Sequence, residues 1–441
     1  MMPPSEDPFS GLFSRGGAAA EVSGRAWVQA MLDFEGALAR SCAEAGLIPA
    51  PAAAAITAAC EADRFDVAAL GREAAGPGNP AAPLVDFLRA QLPEDVAGYV
   101  HRGATSQDVI DTAAMLVARR ALVPILGDAA SAARSSAALA DTHRETIMIG
   151  RTLLQQAVPI TFGLKAAGWL AGVAGARRRL EHSADEQLAL QFGGAAGTLA
   201  SLGDRALDVA AALGRELDLP VPALPWHSDR TRLAVIADDL AVLTGSLGKV
   251  ARDLTLLAQG EVAEVLPRAG GGSSAMPHKR NPVAAVAVLA CAARTPGLAA
   301  TICSSLVGEH ERAAGAWHAE WEVWSDLLRL TGAAGAWAAE MLDKLDVDPA
   351  RMRANLDAAG DQVMTESVVA ALTDEIGPAS ARKLVDEAVA RVADEGLALR
   401  DALDQAGALP GGRLDAALAP ESYLGTGGAF IDRAIAEYGE G

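Results

Sequence analysis

Leu233, Ile236, Leu240, Leu243, Leu247, Val250, Leu254 and Leu257 recur at alternating steps of three and four, with no proline from Thr231 to Val265. This spacing predicts a helix of about 30 residues, about 45 Å long at 1.5 Å per residue, carrying a heptad-like apolar seam and ending at Leu266-Pro267. Such a helix exceeds the usual globular length and implies a bundle with long neighbours or with helices from other copies of the chain. Glu21 to Gly46 is amphipathic through Val28, Met31, Leu32 and Leu38 and ends in glycine, as helices often do. Asp111 to Val123 and Pro159 to His182 read as helices too, and Gly76-Pro77-Gly78-Asn79-Pro80 breaks the pattern. Alternating strand patterns are scarce, and no hairpin dipeptide lies between two of them. The expectation is an all-α chain: a helical domain over 1–100, a central long-helix bundle over 101–346, and a C-terminal domain of shorter helices over 347–441.

Composition supports that expectation. A chain of 441 residues is too long for one compact core. Hydrophobic residues make up 51% but aromatics only 4%, and alanine and leucine dominate, which favours close-packed helices over β-sandwiches. The net charge of −19 argues against nucleic acid and anionic membrane as partners. It also means that an anionic substrate would need a locally basic pocket. Cys42, Cys60, Cys291 and Cys303 have no Cys-x-x-Cys spacing and read as buried thiols in a reducing cytosol. Met1 to Asp7 has neither a basic nor an apolar leader region, and no apolar run reads as long enough to span a bilayer, so the expected location is cytoplasmic.

The candidate chemistry concentrates in Gly270 to Pro282, which reads Gly-Gly-Gly-Ser-Ser-Ala-Met-Pro-His-Lys-Arg-Asn-Pro. Three glycines let backbone approach a ligand closely. Two hydroxyls, an imidazole, an ammonium and a guanidinium follow. Asn281 then Pro282 suggests an N-cap and a proline at the first helical position, which would set the cations beside the positive end of a helix dipole, where carboxylates bind. Gly-Gly-Gly-Ser-Ser alone would read as a linker; the full string points to proton transfer on an acidic substrate.

Three other segments add to it. His101-Arg-Gly-Ala-Thr105-Ser106-Gln-Asp108 precedes a helix, where Thr-Ser is by default a cap. Gly150-Arg-Thr152-Leu153-Leu154-Gln155-Gln-Ala-Val-Pro159 reads by default as a loop leading into the next helix. Gly308-Glu-His-Glu-Arg312, continuing to Trp321, reads by default as an amphipathic helix with surface charges and two core tryptophans, and the glycines of Gln191 to Leu199 as a tight turn.

Together these strings resemble the signature regions of the fumarase/aspartase superfamily, and most closely its 3-carboxymuconate cycloisomerase branch. Other branches carry a histidine directly after the threonine of the second region; this chain has Leu153, and a leucine cannot move a proton. The cycloisomerase branch lacks that histidine.

The resemblance implies a three-domain fold with a central long-helix bundle, and an intramolecular addition of one carboxylate of a tricarboxylate diene to close a lactone. It implies Ser273, Lys279 and His101 as catalytic residues. Thr105, Ser106, Thr152, Gln155, Ser274, Met276, His278, Asn281 and Arg312 would contact substrate. It implies no cofactor, no metal, and a homotetramer whose active sites are shared between subunits; the long apolar seam is read as an independent hint of that assembly. Two other readings are another lyase of the superfamily, chiefly adenylosuccinate lyase, and a non-catalytic helical scaffold. The joint presence of Ser273, Lys279 and Asn281 speaks against the second.

Overall fold

The computed structural model describes residues 8–267, 271–272, 276 and 279–439. Helices dominate. Five long ones, Ser106–Thr142, Phe162–Gln187, Thr231–Leu257, Val283–Ser304 and Ala316–Asp343, carry the all-α architecture. Residue contacts divide the chain into two compact units, one formed by 1–130, 175–248 and 287–338, the other by 131–174, 249–286 and 339–441.

In the first unit the helix Gly24–Glu44 is capped by Ser23, whose hydroxyl accepts from the Ala26 amide. It buries Val28, Met31, Leu32 and Leu38 as the pattern predicts. The indole of the buried Trp324 donates to the Ala114 carbonyl, and Thr244 bonds Thr331 inside the apolar interior. In the second unit the short C-terminal helices close over Met364, Val368, Leu372, Val385, Leu399 and Leu403. Cys42, Cys60 and Cys291 are buried and Cys303 is half-buried, so the expectation of buried thiols holds for three of the four. Burial pushes the Cys42 and Cys291 thiols up to about 11 and that of Cys60 to about 12. These three thiols are protonated packing groups rather than nucleophiles.

The seam helix is real but shorter than expected. It spans Thr231–Leu257, and its last turn gives way to a turn in which the Val262 and Ala263 amides both close on the Gln259 carbonyl. The Glu264 amide then returns to the Leu257 carbonyl, and Val265–Pro267 (β3) pairs antiparallel with Leu345–Val347 (β6). The apolar periodicity itself stops at Leu257; absence of proline was not enough to sustain the helix. All eight seam residues are at most 4% exposed within this single chain. The seam therefore gives no independent hint of assembly, which corrects that expectation. The helix Val283–Ser304 behaves differently. Its mean hydropathy is 1.7, and only 39% of its most apolar window is buried. By length and composition it could cross a membrane, contrary to the sequence expectation. Arg294 interrupts the run, but the surrounding alanines, valines and leucines keep the average high.

A second correction is a β-hairpin where a loop was expected. Ile147–Thr152 (β1) pairs antiparallel with Gln155–Thr161 (β2), with Thr152 directly opposite Gln155. The ladder is irregular around Gly150, where a Cβ would lie 2.6 Å from the Val158 carbonyl oxygen. The two turn residues, Leu153 and Leu154, have φ of +50° and +65°, the positive values that a type I′ turn requires and that leucine resists. They are also 97% and 76% exposed. No local signal marks this turn, because Leu-Leu is neither Asn-Gly nor any other hairpin dipeptide. Replacing both, Leu153→Asn with Leu154→Gly, is expected to raise the free energy of unfolding in urea by about 1–2 kcal/mol. Unchanged or lower stability would mean that the leucines pack on something outside the single chain.

Helix boundaries shift as well. Pro159 lies in β2 and the following helix starts at Phe162, while the helix predicted from Asp111 runs from Ser106 through Pro124 to Thr142.

Candidate active site

In the first unit the site is organised from one face of the Ser106–Thr142 helix. Asp108 is fully buried, and its carboxylate accepts four hydrogen bonds: from the Thr105 amide at 2.9 Å, the Gly193 and Gly194 amides at 2.9 Å each, and His227 Nε2 at 2.7 Å. Only glycine suits position 193, because a Cβ there would stand 2.7 Å from Pro225 and 2.8 Å from His227. Gly194 also needs its φ of +68°. The glycine string thus does more than turn; it presents two amides to a buried carboxylate.

Gln107 bridges onward. Its amide nitrogen donates to the His227 carbonyl at 2.8 Å, and its oxygen accepts from Arg312 Nε at 2.9 Å. Arg312 sits on a loop, not on the helix expected there, since that helix starts only at Ala316. The loop is tied down where Glu309 accepts from the Ala314 amide and where Ser228 donates to the His310 carbonyl. One turn along the central helix, Asp111 receives Arg230 through two bonds, Trp317 Nε1 at 2.9 Å and Gln191 Nε2 at 3.2 Å, while Arg230 also grips Glu320. Thr105 and Ser106 lie at the N-terminal end of this frame, half-buried, and neither hydroxyl has a hydrogen-bond partner among the described residues. Both are available to a substrate carboxylate.

His101 stands at the same end with a φ of +66°, a strained value for a residue with a side chain. Its Nδ1 is 2.6 Å from Glu35 Oε1 on the helix Gly24–Glu44. Burial pushes the imidazole down, but the charge and hydrogen bond of Glu35 outweigh it and hold His101 above its ordinary value. Sequence reasoning missed Glu35. The available signal was an acid on the buried face of an amphipathic helix, beside Met31, Leu32 and Leu38.

In the second unit Thr152 and Gln155 flank the hairpin turn as an exposed cross-strand pair. Arg151 fixes the hairpin through a bidentate bond, 2.9 and 2.7 Å, to the fully buried Glu264. Asn355 donates to the same carboxylate at 2.9 Å. Glu264 immediately precedes β3, so the turn end of the hairpin is locked to the strand that leads into the glycine-rich string. Burial pushes the Lys165 ammonium down, partly offset by Asp253; this lysine was not singled out in the sequence.

Within that string, Gly271–Gly272 (β4) pairs antiparallel with Arg280–Asn281 (β5), Gly271 opposite Asn281 and Gly272 opposite Arg280. Asn281 is therefore a strand residue rather than the helix cap expected, and the helix begins at Val283, whose neighbour Pro282 accepts from the Val286 amide. Lys279 and Met276 are exposed, and the Lys279 amide donates to the Met276 carbonyl at 3.0 Å. Ser273, Ser274 and His278 lie outside the described residues. The structure thus joins His101, Thr105, Ser106 and Arg312 in the first unit. In the second it presents Thr152 with Gln155, and Lys279 with Asn281.

Known lyases resemble the chain in sequence and in fold. A lyase family model matches residues 7–297. A 3-carboxy-cis,cis-muconate cycloisomerase from Bradyrhizobium diazoefficiens is 49% identical over 94% of this chain and 94% of its own. A nitrosuccinate lyase from Streptomyces davaonensis is 44% identical over 97% of this chain and 94% of its own. The crystal structure of the 3-carboxy-cis,cis-muconate lactonizing enzyme from Pseudomonas putida superposes with a TM-score of 0.92 at 42% identity, covering 98% of this chain and 99% of that one. The chain belongs to this lyase family, within the fumarase/aspartase superfamily.

Proposed function

We propose that this protein interconverts 3-carboxy-cis,cis-muconate and 4-carboxymuconolactone, a step of protocatechuate breakdown. The observation that carries the reading is near-full-length identity of 49% to a cycloisomerase. Leu153, exposed at the hairpin turn where other branches hold a proton-transferring histidine, agrees with it.

In the forward direction one carboxylate oxygen attacks the conjugated diene, and a proton is delivered to the carbon next to another carboxylate. A trianion and one proton become a dianionic lactone. Negative charge builds on the carboxylate beside the protonated carbon, and stabilising it is the largest task. Lys279 and Asn281 take that role. Thr105, Ser106, Thr152, Gln155 and Arg312 hold the remaining carboxylates, with Ser274, Met276 and His278 completing the binding loop. Ser273 handles the α-proton, its alkoxide supported by loop amides and Lys279 in a closed, dry site. The working form is a cytoplasmic homotetramer with active sites shared between subunits. The apolar helix Val283–Ser304, only partly covered and with Val286 exposed, supports association of copies.

The test is to mix purified protein with 3-carboxymuconate and follow the ultraviolet band of the diene. Its loss is expected; turnover of nitrosuccinate or adenylosuccinate without that loss would sink the reading.

A further inference from the structure

Lactone closure on a tricarboxylate consumes one proton per turnover: Ser273 hands it to the α-carbon, and the alkoxide left behind must be reprotonated by an acid that is charged near neutral pH and refilled from solvent. Leu153 cannot be that acid. His227 is buried, and its Nε2 is committed to Asp108 at 2.7 Å. His101 has the required placement. Its side chain is 17% exposed, its Nδ1 is taken up by Glu35, and among the described residues no partner holds its Nε2.

We infer that Glu35 is the positioning residue that holds His101 as the imidazolium supplying the proton consumed in lactone closure. The geometry is specific. Glu35 is completely buried, and its second oxygen, Oε2, has no hydrogen-bond partner among the described residues, so the carboxylate is aimed at one histidine. A buried carboxylate with a single partner is costly unless that partner carries charge. The 2.6 Å contact fixes the ring through Nδ1 and turns Nε2 outward as the donor. The positive φ of His101 marks a backbone bent to bring the ring to Glu35.

The charges that face the ring are Glu35 from the helix Gly24–Glu44, Asp108 from the helix Ser106–Thr142, and Arg89 from the helix Ala81–Arg89. Glu35 and Asp108 favour the imidazolium and Arg89 opposes it. Arg89 is in turn occupied with the Val100 carbonyl at 3.2 Å. Burial costs the cation, and Glu35 supplies the largest compensation.

The inference rests on the cycloisomerase reading, and its test separates the two. With 7 histidines in the chain, the His101 titration can be followed by NMR in the substrate-free protein. The wild type should titrate above the ordinary histidine value of about 6.5. Glu35→Gln, which keeps a hydrogen-bond acceptor but removes the charge, should move the midpoint down by about one pH unit. The alkaline limb of kcat should move down with it, with KM little changed and activity largely restored by working at lower pH. If Glu35→Gln fails to fold, His101→Gln gives the second readout: the alkaline limb disappears and kcat falls about 100-fold. A His101 midpoint that stays in place in Glu35→Gln overturns the inference, as does a midpoint that moves while the kcat limb does not. A wild type that shifts as expected on substitution yet leaves 3-carboxymuconate untouched defeats the substrate reading and leaves the Glu35–His101 coupling standing.

Discussion

Arg230→Leu is expected to lower the stability of the chain by about 3–5 kcal/mol. Arg230, Asp111 and Glu320 are all at most 3% exposed, and the guanidinium forks between the two carboxylates, at 2.7 Å to Asp111 and 2.5 Å to Glu320. Burial pushes Arg230 down, but its two acidic partners outweigh this and hold it charged. Leucine would strand two buried carboxylates, and water cannot reach them. Burial already holds Glu320 above the ordinary carboxylate range with Arg230 present, and removing the arginine would raise it further. The folded variant then binds more protons than the unfolded chain between about pH 4 and the raised value of Glu320, so its stability falls as pH rises. Urea denaturation should show the largest deficit at pH 7–8 and a smaller one near pH 5. Adding Glu320→Leu should recover part of the loss by removing one stranded charge. It should not recover all, since Asp111 would remain. A deficit below about 1 kcal/mol at pH 7 would show that the hub contributes little.

Ser273→Ala should reduce turnover of 3-carboxymuconate by about 1,000-fold or more, with helical content and assembly unchanged. A serine hydroxyl is a weak acid and base in water, and its use requires a nearby cation and amide donors. Ser273 follows Gly272 in the chain and Lys279 precedes Arg280, and Gly272 and Arg280 are paired across β4 and β5. The ladder therefore closes the two ends of the segment that contains both groups. The loss should fall on kcat, because removing one hydroxyl leaves untouched the carboxylate contacts proposed for Thr105, Ser106 and Arg312. Near-normal turnover in this variant, measured on the diene band, would refute the role given to Ser273.

Much of the architecture was readable from periodicity. Steps of three and four from Leu233 to Leu257 identify a helix whose seam is then fully buried, because a side-chain period of 3.6 is a local property of the backbone. The family strings were readable for a similar reason: catalysis needs particular groups close together, and here they are close in sequence. The partners of those groups were not. Asp108 and Asp111 look like ordinary acids in the first turn of a helix, yet they anchor Gly193, Gly194, His227, Arg230 and Trp317 from segments more than 80 residues away. Glu35 was visible as an acid on an apolar face, but nothing in the chain order connects it with His101.

The local strings therefore carried the helical class, the superfamily and the branch marked by Leu153, since each depends on residue type and short spacing. Folding in three dimensions set the hairpin, whose Leu-Leu turn takes positive φ because pairing of Thr152 with Gln155 and of the rungs beyond outweighs the local cost. It also set the burial of the seam, the loop position of Arg312, and the pairing of His101 with Glu35. Those outcomes depend on the desolvation and pairing of groups far apart in the chain, and these energies exist only once the segments meet.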